Sequence, residues 1–173
     1  MELDKDLKAR QEARDLARQA EVAQKLLTRM DQEKLDKIVQ AIADAFYKHS
    51  GELADMAVRE TGFGNVEDKI TKNKFASKTL WEAIRDMKTV GVLKEDPREK
   101  LWEIGVPVGV IAAIVPSTNP TSTVCYKAMI ALKSGNAIVF SPHPKAIACT
   151  LRAAQIVAKA AESAGAPKGS VGC

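Results

Sequence analysis

The chain has 173 residues, of which 46% are hydrophobic and 28% are charged, and its formal net charge is +4. These values are typical of a globular protein with a buried core, and no apolar run approaches the roughly 20 residues of a membrane-spanning helix. The charged first residues lack the apolar centre of a signal peptide, so we expect a cytoplasmic protein. Basic residues are not interleaved with aromatic ones, which argues against a nucleic-acid surface.

The three cysteines and two histidines restrict the metal and redox chemistry that the chain can support. Cys125, Cys149 and Cys173 show neither a CxxC motif nor a Cys/His spacing, so we expect reduced thiols and no bound metal. Cys125 and Cys149 fall on the apolar faces of predicted helices, and we interpret both as buried structural thiols.

The N-terminal part of the chain shows the apolar periodicity of amphipathic helices. Four helices are predicted there: one over Asp6–Leu27, one beginning after Asp31, one over Glu52–Glu60 and one beginning after Asn65. Asp31 and Asn65 are the expected N-caps, and a glycine after Thr61 is expected to end the third helix in a left-handed conformation. The alanine-rich face of the first helix is expected to lie on a partner surface, within the chain or on another subunit.

The segment Val106–Pro144 follows a predicted turn at Asp96–Arg98 and a predicted strand over Lys100–Ile104. Within it, the Val- and Ile-rich run Val110–Val115 predicts a strand covered on both faces. A helix is predicted to begin at Pro120 with Asn119 as its cap, and Ala137–Phe140 is a second buried strand. This is a βαβ unit, so we expect parallel strands with a right-handed crossover.

Parallel units of this kind bind ligands at the carboxyl ends of their strands. Those ends are Pro116–Pro120, with the sequence PSTNP, and Ser141–Pro144, with the sequence SPHP. No Asp or Glu occurs between Glu103 and Glu162, although several cations do: Lys127, Lys133, Lys145, Arg152 and Lys159. This pattern suits an anionic ligand, and it suits equally well a stretch that is simply buried and apolar.

The predicted fold class is α/β. An N-terminal helical layer over residues 1–100 is expected to pack on a Rossmann-like parallel βαβ nucleotide-binding region over residues 101–173. A last helix around Cys149–Ala164 and a strand beginning near Gly169 follow the unit. Two strands and the start of a third leave sheet edges and faces exposed, so we expect a region that is incomplete at its C-terminus, in the N-terminal portion of a longer protein.

The residues alone leave the roles of the polar side chains at this edge open. Asn119 is interpreted first as a helix cap, although a side-chain amide beside a helix N-terminus can also donate to a developing oxyanion. Ser141 and His143 can contact a ligand phosphate or sugar, but an ordinary exposed turn is the favoured interpretation of both. The glycines do not form a GxGxxG fingerprint.

Several motifs occur in a recognisable order: MAVRETGFGNVEDKITKNKFASK, TVGVLKEDP, VPVGVIAAIVPSTNPTS, LKSGNAIVFSPHPKA and AAESAGAPKGSVG. Together they resemble the aldehyde dehydrogenase superfamily. The resemblance is strongest to its coenzyme-A-acylating branch, which includes acetaldehyde and propionaldehyde dehydrogenases and the N-terminal half of bifunctional aldehyde-alcohol dehydrogenases.

The resemblance implies NAD-dependent oxidation of a short aldehyde to an acyl-CoA, with NAD as cofactor and coenzyme A as co-substrate. It implies a homo-oligomer, located in the cytoplasm or in a bacterial microcompartment. The nucleophilic cysteine of the family belongs to a catalytic domain beyond residue 173, and none of the cysteines present matches its motif. The chain by itself is therefore expected to be inactive.

The resemblance also assigns site residues. It implies that Asn119 donates to the oxyanion, with Thr118 as the rival, because general members of the superfamily carry their Asn one residue earlier. The residues implied for cofactor binding are Pro116, Ser117, Thr118, Asn119, Ser141, Pro142, His143 and Pro144. The Lys and Glu that reach the adenine ribose in general members are missing from SPHP, so the nucleotide is expected to be held differently.

Two other functions remain open from the sequence. One is a non-catalytic module that binds a nucleotide or coenzyme A, and the other is a helical assembly element built on Asp6–Leu27.

Overall fold

A computed structural model describes residues 4–173, in which helices precede an alternation of strands and helices. The helices are α1 (Lys5–Leu27), α2 (Gln32–Lys48), α3 (Ser50–Thr61), α4 (Val66–Lys74), α5 (Leu80–Ile84), α6 (Pro120–Lys133) and α7 (Ile147–Ser163). The strands are β1 (Gly91–Asp96), β2 (Leu101–Gly105), β3 (Val110–Val115), β4 (Ala137–Pro142) and β5 (Val171–Gly172). A π-helical turn, Phe75–Thr79, joins α4 to α5.

The helix boundaries follow the local signals of the sequence. The carboxylate of Asp31 accepts a hydrogen bond from the backbone N–H of Lys34 at 2.9 Å, and Asn65 caps α4 in the same way through Asp68 at 2.9 Å. Gly62 ends α3 with a φ of 70°, a conformation that costs glycine little. These cap predictions are confirmed.

Strands β3, β4 and β5 form a parallel sheet with β4 at its centre. The pairing of β3 with β4 runs from Val110↔Ala137 to Val115↔Pro142, and β5 joins β4 at Ile138↔Val171. The predicted α/β class and the parallel βαβ unit are confirmed. The sheet supports a core to which α1, α2, α6 and α7 contribute, with fully buried side chains that include Leu27, Phe46, Met129 and Val157.

The prediction that β3 is covered on both faces is wrong. Val115 is fully buried, but Ile114 is 78% exposed and Val110 is 39% exposed. The reason is that β3 forms an edge of the sheet, and Val110, Ala112 and Ile114 on one of its faces remain exposed. β4 has neighbours on both sides, and Ala137, Ile138 and Phe140 are all buried.

Strands β1 and β2 form a separate antiparallel hairpin, of which only the second strand was predicted. The residues of β1 lack the alternation of a half-buried strand, because most of them are exposed. The hairpin turn spans residues 97–100, and its last residue, Lys100, has a φ of 53°. The domain boundary near residue 100 stays a prediction.

Helix α1 lies partly on the chain itself. Ala20, Ala23 and Leu27 on its alanine-rich face are fully buried, whereas Ala9 and Ala13 on the same face are exposed. A partner surface for the second half of the helix therefore lies within the described residues.

Candidate functional site

The parallel register brings the two predicted ligand loops to one edge of the sheet. Val115 pairs with Pro142, so Pro116–Asn119 and His143–Pro144 leave neighbouring strands at adjacent positions. The loops are open: Pro116, Thr118, Ser141, His143 and Pro144 are exposed, and Ser117, Asn119 and Pro142 are partly buried. The edge can therefore be reached by a ligand from solvent.

Asn119 occupies the N-cap position of α6, but its side chain does not cap the helix. The backbone carbonyl of Asn119 accepts from the N–H of Thr123 at 3.2 Å, whereas its side chain makes no hydrogen bond to the helix N-terminus. Instead, Oδ1 of Asn119 accepts from Nζ of Lys72 at 3.4 Å. The capping interpretation is wrong for this side chain, because α4 supplies a competing donor that lies far away in sequence.

Two lysines of α4 reach the PSTNP loop from the same side. Nζ of Lys69 donates to the backbone carbonyl of Thr118 at 2.8 Å, and Lys72 contacts Asn119. Lys69 is only 5% exposed, and burial, together with the positive charge of Lys72, lowers the pKa of Lys69. Sequence reasoning missed both lysines. The only signal was their spacing of three residues, which places them on one helix face.

Buried hydrogen bonds hold α4 in this position. Asn73 is 1% exposed; its Nδ2 donates to the carbonyl of Ser50 at 3.0 Å, and its Oδ1 accepts from the hydroxyl of Thr121 at 2.9 Å. One side chain therefore links α4 to both α3 and α6. The hydroxyl of Ser77, in the π-helical turn, donates to the carbonyl of Asn73 at 2.8 Å. Such turns are frequent at functional sites.

An open pocket of about 690 Å³ lies between α4, the π-helical turn and α6. Its lining surface is mostly apolar, with hydroxyl groups, one amide and one ammonium group: Thr71, Lys72, Phe75, Ala76, Leu80, Asn119, Ser122, Thr123, Tyr126 and Ile130. This volume lies within the range of about 300–1,000 Å³ that is usual for small-molecule sites. Asn119 and Lys72 are therefore polar groups on the wall of an apolar pocket.

The N-terminus of α7, which follows the SPHP loop, is already paired with a carboxylate. The two oxygens of Glu60 accept hydrogen bonds from the backbone N–H groups of Ala148 and Cys149, each at 2.8 Å. Burial raises the pKa of Glu60, but hydrogen bonds from Cys149 and from the first turn of α7 outweigh it, so the net pKa is lowered. These amides are therefore committed to Glu60 and do not face a ligand.

His143 is exposed, and its Nδ1 accepts from the backbone N–H of Lys145 at 3.1 Å. The neutral ring therefore carries its proton on Nε2, which leaves one donor for a ligand. One of the cations expected near an anion is not available: Lys133 is 2% exposed, and its Nζ lies 2.6 Å from Oδ1 of Asp36. The sequence pattern overestimated the positive charge that a ligand would meet.

The thiols have the properties of structural residues. Burial raises the pKa of Cys125, the pKa of Cys149 to about 12 and the pKa of Cys173 to about 11. Cys125 and Cys149 are fully buried, as predicted. A nucleophilic cysteine needs a lowered pKa and access to substrate. Cys125 and Cys149 have neither, and Cys173 is partly exposed but has a raised pKa.

Neither a candidate metal-ligand group nor a candidate membrane-spanning helix is found among residues 4–173. This part of the chain contains no group of three or more His, Cys, Asp or Glu side chains that could hold a metal ion. None of its helices combines the length and the apolar character needed to cross a membrane.

Comparison with known proteins gives consistent matches over nearly the whole chain. The profile of the family described as "Aldehyde dehydrogenase family" matches residues 5–173. The bifunctional aldehyde-alcohol dehydrogenase AdhE of Escherichia coli (strain K12) is 48% identical over 157 residues, which are 91% of this chain and 18% of that protein.

Solved structures give the same result. An acetylating aldehyde dehydrogenase from Geobacillus thermoglucosidasius superimposes with a TM-score of 0.96 and 55% identity, over 98% of this chain and 38% of that one. A propionaldehyde dehydrogenase from Rhodopseudomonas palustris, solved with bound CoA, has a TM-score of 0.74 and 29% identity, over 91% of this chain and 36% of that one. The chain thus spans less than two fifths of the length of each of these relatives.

Proposed function

The chain belongs to the aldehyde dehydrogenase family, and on that premise we propose that its protein is a coenzyme-A-acylating aldehyde dehydrogenase. The substrate is a small aldehyde, NAD takes up the hydride and coenzyme A receives the acyl group. In this proposal the chain is an N-terminal part that supplies the nucleotide edge and one wall of the substrate pocket. The nucleophile is a cysteine of the catalytic domain and is none of Cys125, Cys149 and Cys173.

The nucleotide edge is formed by Pro116–Asn119 and Ser141–Pro144. Both loops are open to solvent at one edge of the sheet, as a large ligand requires. The hydroxyl of Ser141 and Nε2 of His143 are suitable donors to a phosphate or ribose oxygen. Because Glu60 occupies the first amides of α7, these side chains, rather than the helix N-terminus, would hold the ligand on this side.

Asn119 is the proposed donor to the oxyanion that forms when the aldehyde is attacked. The observation that carries this proposal is its position: the side chain lines the pocket and is not used as a cap. Its Oδ1 is paired with Lys72, so Nδ2 is left to donate. Thr118 is absent from the described pocket lining, and its carbonyl accepts from Lys69, which favours Asn119 over the rival.

Substituting the two rivals tests this assignment in the complete protein. Asn119→Ala should lower kcat for CoA-dependent NADH formation from acetaldehyde by about 10²–10³-fold, as removal of one oxyanion donor does elsewhere. Thr118→Val keeps the side-chain volume and should retain most of the activity. Equal effects of the two substitutions would argue against the assignment.

The reaction itself is tested by leaving out one component at a time. NADH formation should need aldehyde, NAD and coenzyme A together, and mass spectrometry should detect the acyl-CoA. Binding of NAD and coenzyme A without turnover would favour the alternative of a non-catalytic binding module. A protein that binds neither NAD nor coenzyme A would leave the helical assembly element as the remaining alternative.

We further propose a homo-oligomer, because β2 and the segment after it expose large apolar side chains. Trp102 is 63% exposed, Ile104 is 56% exposed and Val108 is 86% exposed. Sedimentation of the complete protein would test this, and a monomer would contradict it. A cytoplasmic or microcompartment location stays a prediction.

A further inference from the structure

The contact between Lys72 and Asn119 determines which end of the Asn119 amide faces Lys72. A side-chain amide has an oxygen that accepts and a nitrogen that donates, whereas an ammonium group can only donate. With Nζ of Lys72 at 3.4 Å, the acceptor Oδ1 must be the end that points toward α4. The opposite end, Nδ2, then points away from Lys72, and it has no acceptor among residues 4–173.

Lys72 is suited to this task because its helix is fixed and its charge is not neutralised. Asn73 anchors α4 to α3 and α6, and Lys69 ties the same helix to the carbonyl of Thr118. Within residues 4–173, no carboxylate forms an ion pair with Lys72. Its exposed ammonium group therefore has no competing carboxylate there and can donate to the amide oxygen of Asn119.

The orientation of the amide matters because a rotation of 180° would exchange the positions of its donor and its acceptor. With its carbonyl oxygen toward the pocket, Asn119 would repel an oxyanion instead of donating to it. Nothing else within the described residues holds the amide in one orientation, since Asn119 makes no capping hydrogen bond and its carboxamide has no second partner. The orientation thus depends on one contact between two helices.

We propose that Lys72 is a positioning residue, which holds the Asn119 amide with its N–H groups toward the substrate pocket and so makes it an effective oxyanion donor. The inference rests on the proposed function and deepens it. Lys72 acts through Asn119, and its effect should therefore appear in kcat and should vanish when Asn119 is absent.

The test uses the complete protein and steady-state kinetics with acetaldehyde, NAD and coenzyme A. Lys72→Met removes the charge and keeps most of the side chain, so kcat should fall about 10-fold or more, while KM for each substrate stays within about threefold. Lys72→Arg keeps a donor at this place and should recover most of kcat. Lys74→Met is the matched control, because Lys74 lies on the same helix but over the ring of Tyr47, 5.5 Å from its centroid.

A double-mutant cycle separates positioning from a direct effect of the charge. Lys72→Met should have little further effect in an Asn119→Ala background. Four results would each overturn the inference while leaving the proposed function intact. In the double variant, the effects of the two substitutions on kcat could multiply. The other three results are an unchanged kcat in Lys72→Met, no recovery of kcat in Lys72→Arg, and a change confined to KM for NAD or coenzyme A. An unsubstituted protein without CoA-dependent aldehyde oxidation would contradict both.

Discussion

The carboxylate of Glu60 accepts a hydrogen bond from the backbone N–H of Cys149 at 2.8 Å and so joins the end of α3 to the first turn of α7. Its other oxygen accepts from Ala148, which lies 88 positions later in the chain. Ala146, at the N-cap position of α7, has no side chain that can cap the helix. Glu60, which is distant in sequence, therefore supplies the hydrogen-bond acceptors that a local cap residue supplies in other helices.

Loss of this remote cap should destabilise the protein. Glu60→Ala leaves two amides of α7 without their acceptors and should lower the free energy of unfolding in urea by about 1–2 kcal/mol, as loss of a cap does. Glu12→Ala, on the exposed face of α1, is the control and should change little. Equal unfolding curves for the two variants would show that the cap contributes nothing.

The same carboxylate should make stability depend on pH. The pKa of Glu60 in the folded chain lies below its ordinary value of 4.5, because hydrogen bonds favour the charged form more strongly than burial opposes it. Its contribution to stability is therefore complete above the unfolded pKa and is lost as the pH falls through the folded pKa. Between pH 6 and pH 3, the free energy of unfolding should fall less in Glu60→Gln than in the unsubstituted protein. Parallel curves would contradict this role.

Breaking the ion pair between Asp36 and Lys133 should destabilise the protein more than replacing both residues with apolar ones. Nζ of Lys133 lies 2.6 Å from Oδ1 of Asp36, and its side chain is 2% exposed. Asp36→Ala strands a buried ammonium group and should cost about 3–5 kcal/mol in urea unfolding, whereas the double change Asp36→Leu with Lys133→Met should cost less. A double variant that is less stable than Asp36→Ala would contradict the argument.

The exposed pair of Glu33 and Lys37 provides the comparison for this experiment, since both side chains remain mostly in water. Glu33→Ala should leave the unfolding curve nearly unchanged, because solvent screens an exposed pair.

Two glycines should respond to alanine in opposite directions. Gly105 ends β2, where an added Cβ would overlap the backbone carbonyl of Thr89, so Gly105→Ala should lower the free energy of unfolding by about 1–3 kcal/mol. Gly51 lies in α3 with open space around it, so Gly51→Ala should raise stability by about 0.5–1 kcal/mol. Thermal unfolding of the two variants distinguishes them, and a shift in the same direction would contradict the prediction.

The buried thiols should resist alkylation in the native protein. Burial raises the pKa of Cys149 to about 12, so very little thiolate exists at pH 8, and the fully buried Cys125 is protected in the same way. Iodoacetamide at pH 8, followed by peptide mapping with mass spectrometry, should label both slowly in the native protein and rapidly after unfolding in guanidinium. Rapid native labelling of Cys149 would show that α7 opens or that this thiol has an unrecognised reactivity.

Local signals explain why much of the fold could be predicted. Asp31 and Asn65 cap their helices, and Gly62 ends α3, because these interactions span only a few residues. The crossover unit was predictable because an apolar run, a helix and a second apolar run permit few arrangements. The hairpin strand β1 was missed, since its exposed side chains carry no such pattern.

The candidate site was predictable only in part. The positions of PSTNP and SPHP at the sheet edge follow from the parallel order of the strands, and the family follows from the ordered motifs. The orientation of Asn119 does not follow from either, because its partner Lys72 is 47 residues away along the chain. The side chains of Lys69 and Asn73 likewise acquire their roles only when α4 lies against α6.

The sequence by itself determined the helices and their caps, the α/β class, the parallel crossover and the family, because each of these rests on spacing or motifs along a short stretch. Only the tertiary structure decided that Asn119 lines a pocket instead of capping its helix, that Glu60 caps α7 and that one face of β3 is uncovered. The physical reason is that a hydrogen bond or a buried surface depends on which groups meet in space. For these residues, the deciding neighbours lie on other elements of the fold.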